Sequence, residues 1–268
     1  MQLQVKMANI ITQIYEVQAP AEAKQLIDLG VDHIGSVIVS EDNWKVPLIK
    51  KTINNVKGTT SKSSLIPLFK KPEIIFEVLY YYRPDIIHFC DDLSNHTHVN
   101  ETHKNLLQLQ QNVREKFPEV KIMRSIPITQ PGISKIVNTI KLARIFEPVS
   151  DFFLTDTLLD AKTDVSTDQQ PVNGFIGITG KTCDWDVARK LVQLSSIPVI
   201  LAGGISQDNV FDGIKYIKPA GVDSCTATNA EDENGGLIRF KKDFRKIKRF
   251  IKEVRSAEKE IKAANNVN

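Results

Sequence analysis

The sequence alternates between short apolar segments and helical segments, eight of each, over its 268 residues. The predicted strands are 10–17, 33–39, 64–69, 86–90, 121–128, 152–157, 198–202 and 221–226. The predicted helices are 19–29, 47–56, 71–82, 103–117, 134–146, 184–194, 207–217 and 239–262. Strands that alternate with helices form a parallel sheet, and eight such units match a closed (β/α)8 barrel in number. An open doubly wound sheet would require a glycine fingerprint after its first strand, and the sequence has none there. We therefore predict an α/β fold, a single (β/α)8 TIM barrel that occupies residues 1–268 as one domain.

The composition excludes several classes of protein. The net charge of +3 is too small to indicate a nucleic-acid-binding surface. Much of the basic excess falls in 241–262, where apolar residues recur at helical spacing, so we interpret it as the solvated face of a last helix. No signal peptide or membrane span is evident, and the three cysteines have no paired spacing. We expect a cytoplasmic protein, monomeric or homodimeric, with neither a membrane nor a nucleic acid as partner.

Small and hydroxyl residues follow the last two predicted strands. Gly203 and Gly204 come after strand seven, where Ser206 begins the next helix, and Cys225 and Thr226 come at the end of strand eight. In (β/α)8 barrels the loops after strands seven and eight commonly hold a phosphate group, because free backbone N–H groups meet a helix N-terminus there. This pattern predicts a phosphorylated small-molecule substrate. The alternative interpretation is that the two glycines only form a tight turn.

Five residues on strands are candidates for acid–base chemistry. Asp156 ends strand six, where a partly buried carboxyl with a raised pKa can act as a general acid; the alternative is a structural loop cap. Tyr15 and Glu16 close strand one, and His88 on strand four is either an acid–base group or a hydrogen-bonded interior histidine. Arg124 lies in an apolar strand, and we expect it to point into the barrel, where it would bind an anionic group or pair with Asp156 or Glu16.

Other polar residues after the strands carry weaker signals. His96, His98 and His103 with Cys90, Asp91 and Asp92 match no standard spacing of metal ligands, so we predict no metal site. Cys90, Cys183 and Cys225 all follow predicted strands, and each is either a nucleophile or, as free cysteines more often are, a small buried residue.

Lys181 lies in Gly177–Thr182, which lacks the first glycine of a phosphate-binding P-loop at the required spacing. We interpret the segment as a loop whose lysine could reach an anion.

The segments GITGKTCDW, PVILAGGISQDNV and PAGVD resemble the C-terminal half of the phosphoribosylanthranilate isomerase family. Leu154-Thr155-Asp156-Thr157 is similar to the family's L-L-D-T, and 30–35 fits its second strand. The resemblance implies a (β/α)8 barrel that rearranges N-(5-phosphoribosyl)anthranilate to a 1-deoxyribulose derivative without a cofactor. In that family a carboxylic acid protonates the ring oxygen and a cysteine removes the C2 proton. Asp156 occupies the acid position, and Gly203, Gly204 and, more weakly, Cys225 and Thr226 occupy the phosphate loops.

The sequence departs from the family pattern at the reacting end. Tyr15 stands where the family's K-I-C-G-I-T motif has its cysteine, and the ordinary pKa of tyrosine is about 10 against about 8.5 for cysteine. Lys45 is a loose substitute for the S-K-R motif that holds the anthranilate carboxylate. His88-Phe89-Cys90-Asp91 replaces Q-L-H-G, and Ala227 replaces the glycine of the family's S-S-G.

The function that the resemblance implies is that of a phosphoribosylanthranilate isomerase-like enzyme, an acid–base isomerisation of a phosphorylated sugar derivative by an Amadori-type aldose–ketose rearrangement, as in tryptophan biosynthesis. Asp156 is the expected acid; Tyr15, Glu16 and His88 are the candidate bases; and Arg124 orients an anionic group. One alternative is a phosphosugar lyase or aldolase on the same barrel, with Lys181 or Lys45 forming a Schiff base. The other is a non-catalytic relative that binds a phosphate ligand and has lost its base.

Overall fold

The fold is described from a computed structural model, which covers residues 9–94, 100–132, 137–159, 174–177 and 179–265. Eight parallel strands form a closed barrel in the order β1-β2-β3-β4-β5-β6-β7-β8, so the predicted TIM barrel is confirmed. The strands are β1 Ile11–Ile14, β2 His33–Ile38, β3 Lys62–Pro67, β4 Ile86–Phe89, β5 Lys121–Thr129, β6 Phe152–Leu158, β7 Val199–Leu201 and β8 Gly221–Ser224. That residues 1–268 form one domain stays a prediction.

Eight α-helices surround the barrel in the described part of the chain. They are α1 Pro20–Asp28, α2 Pro47–Val56, α3 Pro72–Tyr82, α4 Glu101–Lys116, α5 Thr139–Phe146, α6 Trp185–Leu194, α7 Val210–Ile217 and α8 Phe244–Asn265. Proline opens α1, α2 and α3, where its missing N–H has no intrahelical partner to lose. Asp184 caps α6 by accepting hydrogen bonds from the backbone of Asp186 and Val187. None of these helices is long and apolar enough to cross a membrane.

The segment between β8 and α8 differs from the prediction. Residues 239–242, predicted as the start of the last helix, belong to β10 (Leu237–Lys242), which pairs antiparallel with β9 (Asn229–Glu231). The Asp232 carboxylate accepts hydrogen bonds from the backbone of Asn234 and Gly236 and so closes the turn of this hairpin. Phe240 has a left-handed φ of 61° at an irregularity of β10. The segment is therefore not helical, although the spacing of Phe240 and the apolar residues after it also fits a helix.

Alternation along each strand decides which side chains enter the barrel. Immediately after β1, Tyr15 packs with the interior cluster, whereas Ile14, the last residue of β1, packs outward against the helices. The same rule on β5 sends Met123 and Ser125 inward and Arg124 outward, since successive residues of a strand face opposite sides. The expectation that Arg124 points into the barrel is therefore wrong.

Candidate active site

A pocket opens at the carboxyl ends of the strands, where a (β/α)8 barrel carries its active site. The empty space within it amounts to about 810 Å³, including solvent at its open mouth. Of the residues named from the sequence, the lining includes Tyr15, Glu16, His88, Asp156, Gly203, Gly204, Cys225 and Thr226. Arg124, Lys45, Lys181 and Ser206 are outside the lining. Eight of these twelve candidates therefore lie together around one cavity, and their roles stay predictions.

Asp156 lies at the carboxyl end of β6, half-buried, with its carboxyl against the backbone of Gly177. Burial raises the pKa of Asp156 to about 7, against the opposing effect of the Thr157 amide, which donates to Oδ1 at 3.0 Å. A carboxyl in this state is protonated in a substantial fraction of molecules near neutral pH. It can therefore deliver a proton to a bound ligand, as a general acid must.

Asp223 is a second carboxyl in the pocket, which the sequence analysis did not single out. Its Oδ1 accepts a hydrogen bond of 3.1 Å from Nε2 of Gln13, the neighbouring residue on β1. Burial raises the pKa of Asp223 to about 7; the Gln13 hydrogen bond opposes this increase, and the negative charge of Asp156 adds to it. The signal that could have identified it is its position two residues before Cys225, on the same face of β8.

Tyr15 is held rigidly in the barrel. Its hydroxyl lies 2.6 Å from Oγ of Ser64 and 2.8 Å from Nδ1 of His88, and Nε2 of His88 lies 2.8 Å from Oγ of Ser125. Burial raises the pKa of the Tyr15 hydroxyl well above its ordinary value of 10. Burial, with the charge of Arg124, lowers the pKa of His88 to about 3, so its imidazole is neutral at neutral pH. The pair presents hydrogen-bonded, uncharged groups to the pocket.

Glu16 follows Tyr15 with a left-handed φ of 63°, a conformation that glycine adopts most easily. In the resembling family's motif this position is a glycine. Oε2 of Glu16 accepts from Nδ2 of Asn229 at 2.8 Å, and Oε1 accepts from Nε of Arg239 at 2.9 Å. Although burial acts to raise the pKa of Glu16, Asn229 and the cations Lys242 and Arg239 lower it overall. The carboxylate therefore anchors the β9–β10 hairpin to β1.

The glycine loop after β7 forms one wall of the pocket. Gly203 and Gly204 have φ values of 86° and 62°. A Cβ on Gly204 would lie 2.6 Å from the backbone of Lys181 and of Thr182, so this close approach requires glycine. Ser206 instead faces the turn before α7, where its Oγ accepts from the Asp208 amide at 3.1 Å. Cys225 and Thr226 contribute the adjoining wall after β8.

The remaining sequence candidates lie elsewhere. Nζ of Lys45 sits 4.9 Å from the centroid of the Trp44 ring, and the side chain of Lys181 is exposed outside the pocket. The sequence predicted that Arg124 would pair with Asp156 or Glu16, but it pairs with Asp91 instead. Its position on β5 directs its side chain outward, towards α4.

Among the described residues, no group of three or more His, Cys, Asp or Glu side chains could hold a metal ion. His96 and His98 lie outside the described residues. His103 caps α4 together with Asn100.

Gly35 makes room for Tyr15, and this contact gives a testable prediction. A Cβ on Gly35 would overlap Cδ1 and Cε1 of the Tyr15 ring, which two hydrogen bonds prevent from moving. We expect Gly35→Ala to lower the free energy of unfolding by about 2–3 kcal/mol, the cost of overpacking a close-fitting core. Urea unfolding would measure this change. In a Tyr15→Cys background the same substitution should cost much less, and an equal cost in both backgrounds would contradict the assigned contact.

Comparison with known proteins identifies the family. The model of the N-(5'-phosphoribosyl)anthranilate (PRA) isomerase family matches residues 98–253, so β5 to β8 fall within the match and β1 to β4 do not. N-(5'-phosphoribosyl)anthranilate isomerase 2 of Methanosarcina mazei is 31% identical in an alignment of 194 residues that covers 66% of this chain and 77% of that protein. The isomerase of Methanocella arvoryzae is 32% identical over 144 residues, about half of each chain (54% and 55%).

Solved structures agree in fold. Phosphoribosyl anthranilate isomerase from Thermotoga maritima aligns with a TM-score of 0.66 and 17% identity, covering 92% of this chain and 99% of that one. A structure of the isomerase in complex with reduced 1-(o-carboxyphenylamino)-1-deoxyribulose 5-phosphate aligns with a TM-score of 0.63 and 16% identity, over 92% and 99% of the two chains. The family-model match and the Methanosarcina relative together show that this chain belongs to the phosphoribosylanthranilate isomerase family.

Proposed function

We propose that the chain catalyses the rearrangement of N-(5-phosphoribosyl)anthranilate to 1-(o-carboxyphenylamino)-1-deoxyribulose 5-phosphate, an aldose–ketose isomerisation of tryptophan biosynthesis. The observation that carries this proposal is Asp156, a half-buried pocket carboxyl whose pKa is raised to about 7. Opening the furanose ring requires a proton on the ring oxygen, and this carboxyl can hold one at neutral pH and release it. Membership of the family supports the same substrate.

The walls of the pocket suit the two ends of this substrate. The backbone at Gly203 and Gly204, with Thr226 on the adjoining wall, offers N–H and hydroxyl donors to a phosphate group. The far wall is apolar and suits an anthranilate ring; it consists of Val37, Ile66, Leu68 and Phe175. Nζ of Lys70 lies 5.6 Å from the centroid of Phe175, close enough to this wall to attract the anthranilate carboxylate. The acid and the binding groups all come from the chain, so the proposed reaction uses no cofactor.

We further propose that the protein acts in the cytoplasm as a monomer or homodimer, on a phosphorylated small molecule and without a nucleic-acid partner. Its three cysteines are free, with Cys90 and Cys183 buried, as is usual in a reducing compartment. The net charge of +3 gives little attraction for nucleic acid.

The direct test is turnover of N-(5-phosphoribosyl)anthranilate by the purified chain, followed through the anthranilate chromophore. We expect conversion to the ketose, and growth of a tryptophan auxotroph that lacks the isomerase when it expresses this chain. A folded protein that binds the reduced product analogue but produces no turnover would support the non-catalytic alternative instead. Trapping of a substrate adduct by borohydride would support the lyase or aldolase. Among the described residues that line the pocket there is no lysine to favour that last function, since Lys45 and Lys181 both lie outside the lining.

A further inference from the structure

The base of the proposed reaction is the open question at this site, because Tyr15 stands at the position of the family's cysteine. The Tyr15 hydroxyl is already within hydrogen-bond distance of Ser64 and His88. Its pKa is raised far above neutrality by burial, so it holds its proton and cannot accept another from carbon. Glu16 is ionised, but Asn229 and Arg239 occupy both of its oxygens. Neither Tyr15 nor Glu16 is therefore free to act as the base.

Asp223 lies at the same level of the barrel as Asp156. Leu154 of β6 pairs with Ile200 of β7, and Ile200 pairs with Gly221 of β8. Two residues further along each strand, Asp156 is therefore next to Ala202, and Ala202 is next to Asp223. The Cα atoms of Asp156 and Asp223 are therefore two strand spacings apart, which is about 10 Å. All three residues line the pocket, and the methyl group of Ala202 leaves the space between the two carboxyls open to a ligand.

Gln13 fixes the direction of the Asp223 carboxyl. Nε2 of Gln13 donates to Oδ1 of Asp223 at 3.1 Å, and Oε1 of Gln13 lies 2.9 Å from Nδ1 of His33. Because the amide oxygen can only accept, Nδ1 of His33 donates to it. Burial lowers the pKa of His33 to about 4, so this ring is neutral and adds no charge to the network. Asp223 therefore keeps Oδ2 available to the pocket.

We propose that Asp223 is the general base of this chain, taking the position in the reaction that the family gives to a cysteine. The inference rests on the proposed function. Asp156 donates its proton to the ring oxygen as the C1–O bond breaks and the anilinic nitrogen forms a C=N bond to C1. The Asp223 carboxylate then removes the proton from C2, and that electron pair forms C1=C2 while the C=N electrons return to nitrogen. The resulting enol loses its hydroxyl proton and gains one at C1, which gives the ketose with no net change in protons.

The electrostatics of the pair allow proton transfer at both positions. Burial raises the pKa of each carboxyl to about 7, and the negative charge of Asp156 adds to the increase at Asp223. Near neutral pH each carboxyl is therefore present in both its protonated and its ionised form, so one can donate a proton while the other accepts one.

The test compares Asp223→Asn with Tyr15→Phe in the full chain. Asparagine keeps the shape and the oxygen that accepts from Gln13, but it cannot take up a proton. We expect kcat to fall by about 10²–10⁴-fold, with KM and the affinity for the reduced product analogue changed by less than about threefold. Tyr15→Phe should lose less than about tenfold in kcat. A loss in Tyr15→Phe as large as in Asp223→Asn, or an Asp223→Asn kcat within tenfold of the unmodified chain, would overturn the assignment.

A second variant keeps the proposal testable if Asp223→Asn folds poorly. Asp223→Ala opens space beside Gln13 for a small carboxylate. We expect added formate to raise kcat of this variant at least tenfold over its value without formate. Formate should not restore Asp156→Ala in the same way, because formate is ionised at neutral pH and carries no proton to donate to the ring oxygen. Absence of rescue in a folded Asp223→Ala protein would count against Asp223 as the base. No turnover by the unmodified chain would instead overturn the proposed function, and the base with it.

Discussion

Asp156→Asn is expected to lower kcat for the proposed isomerisation by about 10²–10⁴-fold, the usual contribution of a positioned general acid. The amide has nearly the same shape as the carboxyl, and its oxygen can still accept from the Thr157 backbone, so the loop should keep its conformation. The loss should therefore appear in kcat, with KM and the affinity for the reduced product analogue nearly unchanged.

A matched control lies at the other end of the same strand. Asp151, immediately before β6, pairs with Arg114 and Lys121 on the surface and is remote from the pocket lining. Asp151→Asn removes the same charge from the chain and should leave kcat within about twofold. Equal losses in the two variants would show that the effect of Asp156→Asn is electrostatic at long range or structural, rather than catalytic.

The raised pKa of Asp156 also predicts how stability depends on pH. In the folded chain the carboxyl keeps its proton up to a pH of about 7, whereas in the unfolded chain it loses it near 3.8. The folded state therefore binds more protons between these values, and its stability decreases as the pH rises from about 4 to about 7.

Asparagine cannot ionise, so Asp156→Asn should be more stable than the unmodified chain at pH 8 and similar to it at pH 4. A shift of about three units corresponds to about 4 kcal/mol, and partial exposure of the carboxyl reduces the expected gain to about 2 kcal/mol. Urea unfolding at both pH values measures this difference. A gain that is equal at pH 4 and pH 8 would contradict the assigned pKa.

Local patterns were sufficient to predict the barrel and one wall of its pocket. Each strand and helix has its own periodicity, and Gly203, Gly204 and Asp156 follow their strands directly. The environment of Tyr15 could not be predicted in this way, because its partners Ser64 and His88 are 49 and 73 residues away in sequence. The β9–β10 hairpin was missed because the spacing of Phe240 and the residues after it also fits a helix. Its turn has a signal of its own, Asn234 followed by Gly235 and Gly236.

Asp223 and Arg124 show what strict alternation adds to such reasoning. Asp223 ends the segment PAGVD and lies two residues before Cys225. Because side chains alternate along a strand, a pocket position for Cys225 predicts one for Asp223 as well. Met123 and Ser125 face the interior of the barrel, so alternation predicts that Arg124, which lies between them, points outward. A charge in an apolar strand does not by itself indicate an inward direction, because a buried charge is equally compatible with a pair between sheet and helices.

Arg124→Met is expected to lower the free energy of unfolding by about 3–5 kcal/mol, the cost of breaking a buried ion pair from one side. Arg124 is completely buried, with Nη1 2.8 Å from Oδ2 of Asp91 and Nε 2.7 Å from Oε1 of Gln110. Its guanidinium also faces the rings of Phe89 and Phe146 at 5.3 and 4.9 Å. Methionine fills similar space but leaves the Asp91 carboxylate without its counter-charge. Urea or thermal unfolding measures the loss.

A second substitution separates the loss of a charge partner from the loss of packing. Asp91→Asn in the Arg124→Met background removes the unpaired charge, and we expect it to restore about 1–3 kcal/mol, so that the two changes are not additive. The backbone of Asp91 pairs with Phe175 on the pocket wall, so weakened docking of that wall should raise KM more than it lowers kcat. A stable Arg124→Met protein with kcat reduced more than a hundredfold would instead return Arg124 to the substrate-binding role that its sequence position suggests.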